Sequence, residues 1–205
     1  MANTRKFTRE KVYNGKEIKM EEDMEADCSV LDAIEDSIEK AVSDGAGTML
    51  LYDIHLPRQY AEQNNANEKF VKIQYEICRH QTRADGSECT PRYIAVRDAM
   101  SESPVFKVGL FLPEGSSYDK DEFERMGTCI THGKTMDWKP YIDRDDCAMV
   151  CERSGVQVRD SVPLDGTQEA SDEAFYVASE MATMIARPRN KTRAERMLFR
   201  SRNSQ

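Results

Sequence analysis

Asp53 and His55 are the residues whose types and spacing first suggest chemistry in this sequence. They lie two positions apart in the apolar run TMLLYDIHL, residues 48–56, which predicts a buried strand closed by Pro57. Side chains two apart on a strand share one face, and buried polar groups need partners there. Arg97 of another predicted strand is a candidate partner. The pattern favours a structural polar cluster, with a working site as the alternative.

A second polar pair, Arg97-Asp98, lies late in the run RYIAVRDAM. This run and the following VFKVGLFL predict two strands of a hairpin, residues 92–100 and 105–112, joined by a turn at 101–104. Alternation places Arg97 and Asp98 on opposite faces of the first strand. The plain interpretation is a strand end that emerges into water, and a contribution to a site is the alternative.

The elements that would position these residues follow from periodicity. Apolar residues recur at helical spacing in four stretches, residues 30–43, 68–83, 118–129 and 173–186. A further strand is predicted within residues 148–158, and residues 161–172 are expected to form a loop. This order predicts a single α+β domain whose central antiparallel sheet is flanked by helices, which we expect on one side of the sheet.

The predicted domain spans residues 28–186, between a polar N-terminal arm, 1–27, and a basic C-terminal tail, 187–205. The net charge of −8 argues against a general polyanion binder, but the charge is unevenly spread. The arm carries an acidic run, Glu21, Glu22, Asp23, Glu25 and Asp27. The tail is either a solvated segment or a contact to a nucleic-acid backbone or an acidic partner, through Arg187, Arg189, Lys191, Arg193 and Arg196.

Composition and short motifs predict the cellular compartment and indicate which cofactors to expect. No apolar run is long enough to span a bilayer, and the N-terminus lacks the apolar segment of a signal peptide. We therefore expect a cytoplasmic protein with reduced thiols and no membrane partner. Phosphate-binding glycine loops are absent, and Cys147 and Cys151 have no second Cys/His pair at zinc-finger spacing. No cofactor is expected from these patterns, and the oligomeric state is not predicted.

Four stretches, in their order, resemble the inovirus replication-protein family, which includes the YagK/YfjJ-type proteins. They are MLLYDIHLP, RYIAVRDAM, SPVFKVGLFLPEG and FYVASEMATMIARPRNKTRAERMLFRS. Members of that family tend to show an Asp-Leu-His strand, an Arg-Tyr…Arg-Glu strand, a Pro-His-x-His strand and a late Ser-Tyr helix followed by basic residues. The similarity extends from Ser29 to the end of the chain and is weakest over residues 117–170.

The resemblance implies the fold of rolling-circle initiators, the His-hydrophobic-His endonucleases with an RRM-like palm. In such enzymes two histidines on one strand help to hold a divalent metal that polarises the scissile phosphate. A tyrosine then attacks that phosphate and forms a 5′-phosphotyrosyl link. The resemblance therefore implies origin or single-stranded DNA as a partner.

This chain departs from the family at the catalytic positions. Val105 and Lys107 stand where the family has His-x-His, and valine cannot ligate a metal. Lysine would repel a metal, although it could contact a phosphate directly. Glu180 stands where the helix of the family has its tyrosine, which leaves Tyr176 as the candidate nucleophile of that helix.

Three functions follow as hypotheses. The first is a catalytically degenerate, initiator-like protein of a phage or mobile element that retains nucleic-acid or protein binding, with Arg97, Lys107 and the tail as the contacts. The second is a protein-binding inhibitor of a host defence or replication complex that acts partly as an acidic mimic of nucleic acid. The third is an active nickase that uses Tyr176 and holds Mg²⁺ or Mn²⁺ on Asp53, His55 and Asp98.

Overall fold

The computed structural model describes residues 6–57, 65–81, 85–87, 89, 91–98, 104–116, 118–132, 154–185 and 198–200. The strands in these ranges are β1 (Phe7–Thr8), β2 (Val12–Tyr13), β3 (Lys16–Glu17), β4 (Met24–Asp27), β5 (Ala46–His55), β6 (Arg92–Asp98), β7 (Val105–Pro113), β8 (Gly155–Pro163), β9 (Thr183–Ile185) and β10 (Leu198–Arg200). The helices are α1 (Cys28–Ser43), α2 (Ala66–Arg79), α3 (Lys120–Thr131) and α4 (Gln168–Ser179), and a 3₁₀ turn, Glu180–Ala182, follows α4.

A five-stranded sheet in the order β10-β6-β7-β5-β8 forms the centre of the fold. Every pair of neighbouring strands is antiparallel, and the β6–β7 hairpin pairs Arg92 with Phe111 through to Asp98 with Val105. β5 lies between β7 and β8 and is buried along most of its length, as its nearly continuous apolar sequence predicted. The predicted α+β class and the flanked antiparallel sheet are confirmed.

Helices cover both faces of the sheet, so the expectation of helices on one side is wrong. Met49 and Leu51 of β5 face a core shared with α1 and α4, whereas Leu50 and Tyr52 face a core shared with α2 and α3. Both alternate sets of β5 are apolar, and each therefore needs an apolar layer against it.

The C-terminal half of the domain differs from the prediction at three boundaries. β8 reaches Pro163, and α4 begins at Gln168 because the Thr167 side chain accepts a hydrogen bond from the Ala170 amide. Residues 183–185, predicted as the last turn of a helix, form β9 instead. β9 pairs with β4 more than 150 residues earlier in the chain, and this long-range ladder overrides the local helical pattern.

The described part of the N-terminal arm packs on the domain. β4 lies between β1 and β9 in a small sheet, and Ile18 is only 3 % exposed in the core under α1 and α4. Asp27, from the acidic run, is buried and caps α1 by accepting from the Ser29 amide at 2.9 Å. The predicted basic tail lies outside the described residues except for β10, whose Phe199 enters the core.

None of the helices in the described ranges is long and apolar enough to cross a membrane.

Candidate functional site

The end of the sheet that carries Asp53 and His55 is polar on the face covered elsewhere by α1 and α4. The register places Asp53 opposite Lys107 of β7, and Lys107 opposite Val96 of β6. Because residues directly opposite in an antiparallel sheet point to the same face, Asp53 and Lys107 are neighbours on this face. One row further on, His55 lies opposite Val105.

Arg159 of β8 is the partner of Asp53, whereas Arg97 was predicted for that role. The Nε and Nη2 atoms of Arg159 lie 2.7 and 2.6 Å from Oδ2 of Asp53, whose side chain is 3 % exposed. Arg97 cannot reach this position because β7 separates its strand from β5 and its side chain points to the other face. There its Nη1 donates to Oδ1 of Asn67 at 3.1 Å.

A β-bulge in β8 directs Arg159 towards Asp53. Leu51 pairs with Asp160 and Tyr52 pairs with Val158, so Arg159 is the extra residue of β8. An extra residue shifts the alternation of a strand and re-aims a side chain. As a result, Val158 packs in the core under α2 and α3 while Val162 packs in the core under α1 and α4.

Glu180, the first residue of the 3₁₀ turn, completes the cluster above this face. Nζ of Lys19 lies 2.8 Å from Oε2 of Glu180. Nη1 of Arg159 lies 3.4 Å from Oε1, and Nζ of Lys107 lies 3.9 Å from the same oxygen. One carboxylate thus meets three cations, and we call Lys19, Lys107, Arg159 and Glu180 the charge cluster.

The charge cluster shifts the pKa of two of its members. Burial raises the pKa of the Glu180 carboxyl, but the hydrogen bond from Lys19 and the charges of Lys19, Lys107 and Arg159 outweigh it, and the net pKa is lowered. The hydrogen bond to Glu180 raises the pKa of Lys19, although burial opposes it. Both groups are therefore held in their charged forms at neutral pH.

Tyr176 lies one helical turn before Glu180 on α4, and its side chain is exposed. The backbone carbonyl of Tyr176 accepts a hydrogen bond from the buried Ser179 hydroxyl at 2.6 Å.

The three predicted metal ligands are not brought together as a set. Asp98 pairs with Val105, which in turn pairs with His55, so two strand spacings, about 10 Å, separate Asp98 from His55. Nε2 of His55 lies 3.9 Å from Oδ2 of Asp53, beyond a direct hydrogen bond. Within the described ranges no group of three or more His, Cys, Asp or Glu side chains is arranged to hold a metal ion.

Sequence reasoning missed Lys19 and Arg159 as members of the site and treated Glu180 only as a departure from the family pattern. Lys19 belongs to a polar segment, and Arg159 is a single basic residue between Val158 and Asp160, so neither carries a local signal. The predicted contacts Arg187, Arg189, Lys191, Arg193 and Arg196 lie outside the described residues.

Comparison with known proteins adds no relative: no family model, no curated protein and no solved structure matches this chain. The resemblance to the inovirus replication proteins therefore stays a prediction.

Proposed function

We propose that this protein is a non-catalytic, initiator-like protein of a phage or mobile element that binds single-stranded DNA through the sheet face bearing Lys107. The observation that carries the proposal is the set of cations at this face. Lys107, Arg159 and Lys19 come from two strands and the N-terminal segment, and their side chains are 24 %, 46 % and 47 % exposed. Partly exposed cations on one face are the usual contacts to a phosphate backbone.

The surroundings of Asp53 support binding over metal-dependent cleavage. Its carboxylate is buried and already faces the guanidinium of Arg159, with Lys107 on the adjacent strand. A divalent metal at Asp53 would have to displace the arginine and tolerate the nearby lysine. Arg97 and Lys107 were both predicted to contact nucleic acid. Their side chains lie on opposite faces of the sheet, so they cannot contact the same phosphate, and the proposal keeps only Lys107.

The test is a native mobility shift with a labelled single-stranded oligonucleotide pool over a range of salt concentrations. We expect a shift that weakens steeply with salt, and Lys107→Ala should reduce the salt slope by about 0.7, the value of one phosphate contact on a single strand. Lys72→Ala is the matched control, because Lys72 is an exposed lysine of α2 on the opposite side of the sheet. Affinity indifferent to salt, or equally reduced by both substitutions, would contradict the proposal.

The same incubation with Mn²⁺, read on a denaturing gel, tests the nickase. Cleavage with a covalent protein–DNA adduct that disappears in Tyr176→Phe would establish catalysis and overturn the non-catalytic assignment. Intact DNA beside a mobility shift is the expected result.

The inhibitor remains a second candidate because acidic side chains line exposed surface. Glu21, Glu22 and Asp23 of the acidic run are exposed, and Asp32, Asp36 and Glu39 are exposed on α1. Their arrangement suits a partner with a basic surface. Absence of any DNA shift at low salt, together with co-purification of a basic host protein lost when the α1 acids are neutralised, would favour this function.

A further inference from the structure

Glu180 is an unusual acid in an unfavourable place. It follows the last residue of α4, where the partial negative charge of the helix C-terminus disfavours a carboxylate. The three cations of the charge cluster offset this, with Lys19 at 2.8 Å, Arg159 at 3.4 Å and Lys107 at 3.9 Å. The cations therefore surround an anion position that the protein fills with its own side chain.

The backbones of Lys19 and Lys107 and the guanidinium of Arg159 are held in place independently of Glu180. The backbone of Lys107 is fixed by the ladders of a central strand, and the guanidinium of Arg159 is fixed by the buried carboxylate of Asp53. The backbone amide of Lys19 donates to the Ser179 hydroxyl at 2.8 Å, and its neighbour Ile18 is buried. Removal of the Glu180 carboxylate would thus leave three cations on backbone that is already positioned, so that binding has to order only the two lysine side chains.

The side chain of Glu180 can rotate out of the charge cluster. Its side chain is 26 % exposed, and the backbone of the 3₁₀ turn is held by contacts that do not involve the carboxylate. The Thr183 hydroxyl donates to the Glu180 carbonyl at 2.8 Å, and the residue after Glu180, Met181, is buried in the core. A rotation of the side chain into water would expose the three cations without moving the turn.

We propose that Lys19, Lys107 and Arg159 form a binding site for one phosphate of a nucleic-acid backbone, and that Glu180 occupies this site in the unbound protein. A phosphodiester carries one negative charge on two non-bridging oxygens, as the carboxylate does, so the exchange conserves charge. Glu180 thereby weakens phosphate binding and restricts it to ligands that displace the carboxylate from the three cations. This inference rests on the proposed DNA-binding function and adds an autoinhibitory contact to it.

The test compares Glu180→Gln with Glu173→Gln, using inorganic pyrophosphate and a labelled oligothymidylate as probes. Glu173 is an exposed acid on α4, the helix that precedes Glu180, so both substitutions remove one negative charge and only the first removes the competitor. Calorimetric titration should show that Glu180→Gln binds each probe roughly tenfold more tightly than wild type, as expected when one charge-assisted competitor is removed. Glu173→Gln should stay within about twofold, the effect of general charge alone.

Two further variants keep the result unambiguous. Glu180→Ala should reproduce the gain if the glutamine variant folds poorly. Addition of Lys107→Ala to Glu180→Gln should remove most of the gain, because one of the three cations is lost.

The two probes separate the two proposals. If neither Glu180 variant binds pyrophosphate more tightly than Glu173→Gln, the phosphate site is wrong, even where wild type still shifts DNA. If the Glu180 variants gain pyrophosphate affinity but no variant binds the oligonucleotide, the phosphate site stands and the DNA-binding function fails.

Discussion

Phe106 and Lys107 are adjacent residues of β7 whose side chains point to opposite faces of the sheet. We compare the two regions that they mark, an aromatic core and a group of charged side chains. Phe106 stacks on Phe70 of α2 with ring centroids 4.2 Å apart, and Phe199 of β10 meets it edge-on at 5.7 Å. On the opposite face, Lys107 joins the charge cluster at the same end of the sheet. One face is closed by aromatic packing, and the other is left polar.

This difference indicates where the free energy of folding resides. A fully buried aromatic ring removes a large apolar area from water and gains further from stacked neighbours. Partly exposed ion pairs contribute little net stability, because solvent screens them and long side chains lose entropy. The aromatic face therefore tolerates little change, while substitutions among the partly exposed ion pairs of the polar face should cost less stability.

Phe106→Ala should produce the largest loss. Deletion of this ring leaves a cavity between the sheet and α2, and we expect the free energy of unfolding to fall by about 3–5 kcal/mol. Lys107→Ala, the neighbouring control, should lower it by less than about 1 kcal/mol. Urea denaturation of both variants measures the contrast, and equal losses would contradict the division between the two faces.

Arg159→Ala should give an intermediate loss, about 1–3 kcal/mol, because it leaves the buried carboxylate of Asp53 without its guanidinium. Asp53→Asn in the same background should recover part of the loss, since a neutral amide is less costly to bury than a lone charge. A double-mutant cycle from chemical denaturation measures this coupling. Additive effects of the two substitutions would show that Arg159 and Asp53 do not stabilise the fold through their interaction.

Gly127→Ala tests how tightly α3 packs against β8 on the face of the sheet that carries the aromatic core. Ala favours a helix over Gly by about 1 kcal/mol, but a Cβ at Gly127 would lie 2.6 Å from Cγ2 of Val156. Overpacking of α3 against β8 should outweigh that gain, for a net loss of about 1 kcal/mol in thermal or urea unfolding. Val156→Ala added to Gly127→Ala should relieve the overlap with the two Cγ atoms of Val156 but not with its Cβ, which would still lie 2.8 Å from the new Cβ, so only part of the loss should be recovered. No coupling between the two substitutions would place the strain elsewhere.

Acid should reveal the smallest effect, at Glu180. Its folded-state pKa is below the ordinary glutamate value, so its contribution to stability is present above that value and is lost as pH falls through the lowered pKa. Below the usual value of about 4.3, wild type should lose stability relative to Glu180→Gln. The difference in melting temperature between the two proteins, followed from pH 7 downwards, measures it. A difference that does not change with pH would mean that the carboxylate gains nothing from the cations.

Local patterns predicted most of the elements but few of the contacts between them. α1, β5 and the β6–β7 hairpin are found close to their predicted positions because periodicity and turn residues act over short distances. The pairing of β4 with β9 and the second helical layer depend on residues far apart in sequence, and they were missed. Among the site residues, Asp53 and His55 were recognised as a pair on one face, whereas Arg159, their neighbour in space, was not.

The sequence by itself determined that Asp53 and Lys107 are charged residues within two otherwise apolar strands. Only the tertiary structure determined which side chains they contact, Arg159 and Glu180 respectively. The β-bulge at Arg159 changes which face a side chain points to, and it is visible only in the pairing of β8 with β5. Likewise, the ladder with β4 ends the helical path after Ser179 and sets Glu180 above Lys107. The β5–β8 and β4–β9 pairings join residues far apart in sequence, which no local pattern encodes, and they assemble the charge cluster.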